Sequence, residues 1–133
     1  MDMIHLLPVT AVFACILTLL ILILAYRVVA YRRRYRVGYG EGKKEHLKQA
    51  ISAHSNAIEN IPLAILLMAL LEYAEVQFIL LVIISCLFVL ARFIHAYGLS
   101  HSTGVSFGRT YGTMLSWFLL GFMAILNVIY SFS

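Results

Sequence analysis

Ser52, Asn56, Glu59 and Leu63 follow one another at steps of four, three and four, so three polar side chains share one face of a helix. Glu59 is the only acid between Lys48 and Glu72, in a stretch otherwise long and apolar enough to cross a bilayer. A charged side chain at the centre of such a helix costs roughly 2.5 to 3.5 kcal/mol on insertion scales, so intramembrane acids pair, face protein and mark function. His54 and Asn60 flank it, and Pro62 follows, removing one backbone donor and crowding the carbonyl of Ile58. Equal steps counted from a short loop at 72–75 place Arg92 at the depth of Ser55 and Asn56, within reach of Asn56 or Glu59. A guanidinium there offsets much of the insertion penalty through bidentate hydrogen bonds. On a purely structural reading, Glu59 and Arg92 neutralise each other, because a buried pair alone is weak evidence of chemistry.

Further polar groups lie toward the same end of the predicted bundle: Arg32 to Arg36, His95, Tyr97 and Arg109. A cationic pocket that also holds amide and carboxylate groups suits a small zwitterionic or anionic ligand, with lipid supplying an apolar co-substrate.

The elements that must position these groups follow from composition. With 62% hydrophobic and 12% charged residues and a mean hydropathy of +0.92, the chain has too little polar surface to cover a soluble globule of 133 residues. Four apolar windows each exceed the roughly 20 residues needed to span the hydrocarbon core. The reading is an all-α membrane protein, one four-helix domain over 1–133 with spans at about 3–31, 45–71, 76–99 and 108–132. Met1 and Asp2 supply no basic stretch before the first window, which is read as a retained helix and not as a signal peptide.

Eight of the ten Lys and Arg residues lie between Arg27 and Lys48, and the other two, Arg92 and Arg109, flank the third loop. Asp2, Glu72 and Glu75 occupy the opposite side, so the positive-inside rule puts the basic loops in the cytoplasm and both termini outside. The net charge of +4 is accounted for by this topology and by anionic lipid head groups, and no nucleic-acid partner is implied. Gly38, Gly40 and Gly42 make the first loop a turn, and it lacks the phosphate-loop spacing. Cys15 and Cys86 stand singly in apolar spans, so neither a disulfide framework nor a metal site is expected. Gly108 and Gly112 form a GxxxG at the start of the fourth span, followed by Thr113, Ser116 and Gly121, a spacing that permits close helix packing.

Three blocks carry a family resemblance: Tyr35-Arg36-Val37 after the arginine run, Ala53-His54-Ser55-Asn56-Ala57-Ile58-Glu59-Asn60-Ile61-Pro62, and Ala91-Arg92-Phe93-Ile94-His95-Ala96-Tyr97-Gly98. Together they resemble the membrane-associated proteins in eicosanoid and glutathione metabolism (MAPEG), in particular a bacterial branch, and the resemblance covers essentially the whole chain. It implies a homotrimer of four-helix protomers in a bacterial inner membrane, with glutathione as co-substrate between subunits near the cytoplasmic face. It further implies that Asn56 and Glu59 bind the tripeptide, Glu59 through its ammonium group, and that Arg92 supports the site. Arg32 and Arg33 match the arginines before the family's first loop, and Arg109 is the counterpart of the arginine that stabilises the glutathione thiolate. The candidate set is thus Arg109 and Arg33 for catalysis, and Arg32, Ser52, His54, Asn56, Glu59, Asn60, Arg92, His95 and Tyr97 for binding. Ser52 departs from the family pattern, which has arginine there, and Lys48 one turn earlier is a partial substitute. His95 and Asn60 stand where the eicosanoid enzymes have tyrosines, so specific eicosanoid chemistry is not implied.

The resemblance favours a glutathione transferase or lipid-hydroperoxide peroxidase acting on small hydrophobic electrophiles. The alternative is a glutathione- or lipid-binding protein without turnover, since the scaffold has a non-catalytic member. A third class, the small proton-coupled exporters, places its intramembrane acid in the first helix, and the first window here holds none.

Overall fold

The computed structural model describes residues 6–101, 104 and 106–133. Four helices account for most of these: α1 (Pro8–Tyr35), α2 (Glu45–Tyr73), α3 (Phe78–His101) and α4 (Phe107–Ser131). Each is long and apolar enough to cross a membrane. The expected start of the first span at residue 3 lies outside the described residues, and α1 continues past residue 31 to Tyr35. Arg32, Arg33 and Arg34 therefore belong to the last helical turn, where cations complement the helix dipole.

The helix ends have identifiable causes. Pro8 opens α1, where its missing N–H is no loss. Leu7 cannot cap, and the next two donors, Val9 N–H and Thr10 N–H, bond instead to the two oxygens of Glu72 at 2.8 and 2.7 Å. A carboxylate from the end of α2 thus caps α1 and also meets the positive end of its dipole. At the other end Arg36 adopts the left-handed conformation (φ 55°), and the N–H groups of Arg36 and Val37 bond to Arg33 O and Arg32 O. The following loop turns as its glycines require: Gly40 and Gly42 have φ of 67° and 57°, and Arg32 Nη1 donates to Gly40 O at 2.8 Å. The second loop is tighter, with Val76 N–H on Leu71 O and Glu75 at φ 56°. Ser106 caps α4 by accepting from Arg109 N–H at 3.2 Å.

α2 and α3 each contact all the other helices, whereas α1 and α4 do not touch, so α2 and α3 form the short diagonal of the bundle. The seam of α2 is small over Ala50, Ala53, Ala57 and Ala64, interrupted by Ile61, and larger at its ends, with Leu47 before it and Met68 and Leu71 after it. α2 remains helical on both sides of Pro62. Phe88, Leu17 and Met123 fill the centre, while Leu19, Leu66, Ile83 and Ile125 point outward. Apolar residues on both faces are the pattern of helices whose solvent is lipid; association then rests on packing and interhelical hydrogen bonds. One such bond runs from Asn127 Nδ2 to Leu67 O at 3.1 Å, tying α4 to α2. At the basic end Arg27 donates to Ser100, linking α1 to α3.

The tightest contact joins α3 to α4. A Cβ placed on Gly112 would lie 2.7 Å from His95 Cβ and 2.9 Å from Ala91 O; one on Gly98 would lie 2.6 Å from Arg109 N. Gly108 approaches Ile94 O and Gly98 Cα in the same way. The GxxxG is thus a true packing motif, whereas a Cβ on Gly121 would meet no atom of the described residues within 4 Å.

Two substitutions test this frame. Gly112→Ala forces α3 and α4 apart and is expected to lower unfolding stability in detergent by about 1 to 3 kcal/mol, while Gly121→Ala does not lower it. Glu72→Ala strands two helix-end donors and is expected to cost about 1.5 to 3 kcal/mol in the same assay, with the loss concentrated in amide protection at the start of α1.

Candidate functional site

The close approach of α4 to α3 brings three helices together around one arginine. Arg92 is 1% exposed, on the face of α3 that also buries Ala91, His95 and Leu99. Its Nη2 donates to Asn56 Oδ1 on α2 at 2.6 Å and its Nη1 to Ser116 Oγ on α4 at 3.3 Å. Nη2 also lies 3.4 Å from His95 Nδ1, while Nε is buried without a partner. Among the described residues no carboxylate pairs with this cation. Of the two partners that depth counting allowed, Arg92 meets Asn56 and not Glu59. The reason is rotational: Glu59 sits on the outward side of α2, exposed, across the helix from the buried Ala57.

Beside this network a cavity of about 500 Å³ opens between α2, α3 and α4. Ser52, Asn56, His95, Arg109, Thr110, Thr113 and Trp117 line it, with Leu99 and Met114. Its wall contains one full cation, several hydrogen-bonding groups and no acid. Such a wall can hold an anion or a carbonyl-rich molecule, with Trp117 and Met114 supplying an apolar side. Four of the residues singled out from sequence, Ser52, Asn56, His95 and Arg109, therefore share one cavity, and Arg92 stands directly behind them.

The remaining candidates are placed elsewhere in the chain. Asn60 Nδ2 donates to Asn56 O at 2.8 Å, one turn below the cavity. His54 is half-buried on α2, and Arg32 and Arg33 are in the last turn of α1, Arg33 exposed. Tyr97 is on another face of α3, its ring stacked on His101 at 4.2 Å. There it joins Phe93, Ile94 and Phe107 around a second, apolar groove of about 600 Å³.

Thr110, Thr113, Met114 and Trp117 were not singled out as site residues by the sequence, and Ser116 only for its size. A signal existed. Gly108, Gly112 and Ser116 stand at steps of four and form the row that packs on α3; Arg109, Thr113 and Trp117 form the adjacent row, which must border whatever space that packing leaves.

The fold and site define an integral membrane four-helix protein with a cationic, hydrogen-bonding cavity at the basic end of its bundle. The MAPEG family model matches residues 10–129. The chain is 34% identical over 122 residues to the inner membrane protein YecN of Escherichia coli strain K12, an alignment that covers 92% of each chain, and equally so to YecN of Escherichia coli O6:H1. This chain belongs to the MAPEG family.

Proposed function

We propose that this protein is a membrane-bound glutathione transferase- or peroxidase-like protein of an inner membrane, a homotrimer with its basic loops in the cytoplasm and glutathione held where protomers meet. The observation that carries this reading is the cavity of about 500 Å³, which gathers Asn56, His95 and Arg109 and contains no acid. That volume falls within the roughly 300 to 1,000 Å³ of small-molecule sites. Glu59 supports the intersubunit part: it is exposed on the face of α2 that carries Ser52 and Asn56, and a lone carboxylate in an apolar span needs a partner. A second copy packed on that face would enclose Glu59 beside the cavity, where it would take the ammonium group of the tripeptide. Arg32 and Arg33, at the end of α1, would reach the ligand from a neighbouring protomer.

Arg109 is the group best placed for chemistry. A thiol of reference pKa about 8.5 is a better-populated thiolate beside a fixed cation, and the thiolate is the nucleophile. Its sulfur would attack the electrophilic carbon of a small hydrophobic substrate arriving from lipid along the Trp117 and Met114 side, displacing the leaving group. No metal enters this scheme.

Ser52 favours a second reading, a binding protein without turnover, because it lines the cavity where the family pattern has a cation. Calorimetric titration with glutathione tests the site: Glu59→Gln is expected to weaken binding at least tenfold and Ser52→Arg to strengthen it, and unchanged affinity in both variants refutes the assignment. Turnover of a chlorinated aromatic or of cumene hydroperoxide then separates enzyme from binder. Proton-driven efflux abolished by Glu59→Gln would return the exporter class instead.

A further inference from the structure

Arginine carries five N–H donors and no acceptor, and it stays protonated. Every atom it contacts by a hydrogen bond must therefore offer a lone pair. Arg92 Nη2 lies 2.6 Å from one terminal atom of the Asn56 amide, and Asn60 Nδ2 lies 3.5 Å from the same atom. Two donors converge there, so that atom is the carbonyl oxygen and the amide's NH₂ group lies on the other side. The same logic applies to His95. Its Nδ1 is 3.4 Å from Arg92 Nη2, so Nδ1 holds the lone pair and the ring proton is on Nε2.

Both groups left over are donors, Asn56 Nδ2 and His95 Nε2. Neither belongs to the buried atoms that lack a partner, unlike Arg92 Nε, and both residues line the cavity. Ser116 holds the guanidinium plane in place: its Oγ accepts from Arg92 Nη1 at 3.3 Å and donates to Gly112 O at 2.7 Å. Thus one buried cation, itself outside the cavity lining, engages one polar atom on each of two cavity-lining side chains, on α2 and on α3.

We propose that Arg92 is a positioning residue that turns Asn56 and His95 into hydrogen-bond donors toward the cavity, so that this wall selects an acceptor-only group, a carboxylate or a thiolate. Only the ligand's identity rests on the glutathione reading; the amide orientation and the tautomer belong to the ligand-free protein. A flipped amide or an Nδ1–H imidazole would turn a lone pair toward the anion, leaving polar groups unpaired and like charges opposed. Rejection of neutral donor ligands follows from the same wall.

Nitrogen-15 solid-state NMR of histidine-labelled protein in bilayers without ligand tests the proposal, with the His95 signals assigned by their loss in His95→Gln. The expected result is Nε2–H alone in the wild type, where an unconstrained imidazole populates both tautomers, and reappearance of the Nδ1–H form in Arg92→Met. An Nδ1–H or mixed His95 in the wild type, or an unchanged tautomer in Arg92→Met, overturns the proposal. Asn56→Asp provides a second variant that keeps the contact with Arg92 but presents an acceptor to the cavity. It is expected to leave the tautomer as in wild type and to bind glutathione at least tenfold more weakly; undiminished affinity overturns the donor role of Asn56. If the wild type shows Nε2–H alone, Arg92→Met releases it, and glutathione does not bind, the glutathione reading fails and the role of Arg92 stands.

Discussion

The absence of side chains on Gly98, Gly108 and Gly112 is the constraint on which the site depends. With a Cβ at any of them, α3 and α4 would meet backbone at 3.0 Å or less. Without one, the helices close until Ser116 reaches Arg92 and Arg109 stands beside the start of the cavity. In lipid there is little hydrophobic force to press helices together, so small residues and short-range packing must do it. The same rows of residues therefore serve stability on one side and the cavity on the other.

Arg92 is the second organising feature. A buried cation held, among the described residues, by an amide, a hydroxyl and an imidazole is poorly compensated, since each of these partners is neutral and Nε finds no acceptor among them. A fold selected for stability alone would place a carboxylate there or an apolar side chain. Here the acid, Glu59, is held on the outer side of α2, so the chain separates these charges instead of cancelling them. That separation leaves Arg109 in the wall of the cavity and an exposed carboxylate on the outer face of α2.

The capping of α1 by Glu72 shows the opposite use of a carboxylate. Two N–H donors at a partly buried helix end need acceptors, and Glu72 supplies both oxygens across helices. Glu59 and Glu72, both on α2, are the same in type, and their depth and rotation on the helix separate an exposed group from a structural cap.

Much of this was legible in the residues themselves. Hydropathy and length dictate four spanning helices, because a backbone in lipid must satisfy its own hydrogen bonds. The short second loop makes α2 and α3 antiparallel neighbours, and counting residues from it brings Arg92 level with Asn56, since rise per residue is constant. The glycine spacing announces a close contact on α4. What the sequence determined, then, is which helices exist, their depths and the type of chemistry at one end. Only the tertiary structure decided how each helix is rotated and which neighbour it faces: that Arg92 takes Asn56 and Ser116 and leaves Glu59 outside. Depth follows from a count along one chain, whereas rotation and partner choice follow from how side chains of distant segments fit together, which no local spacing encodes.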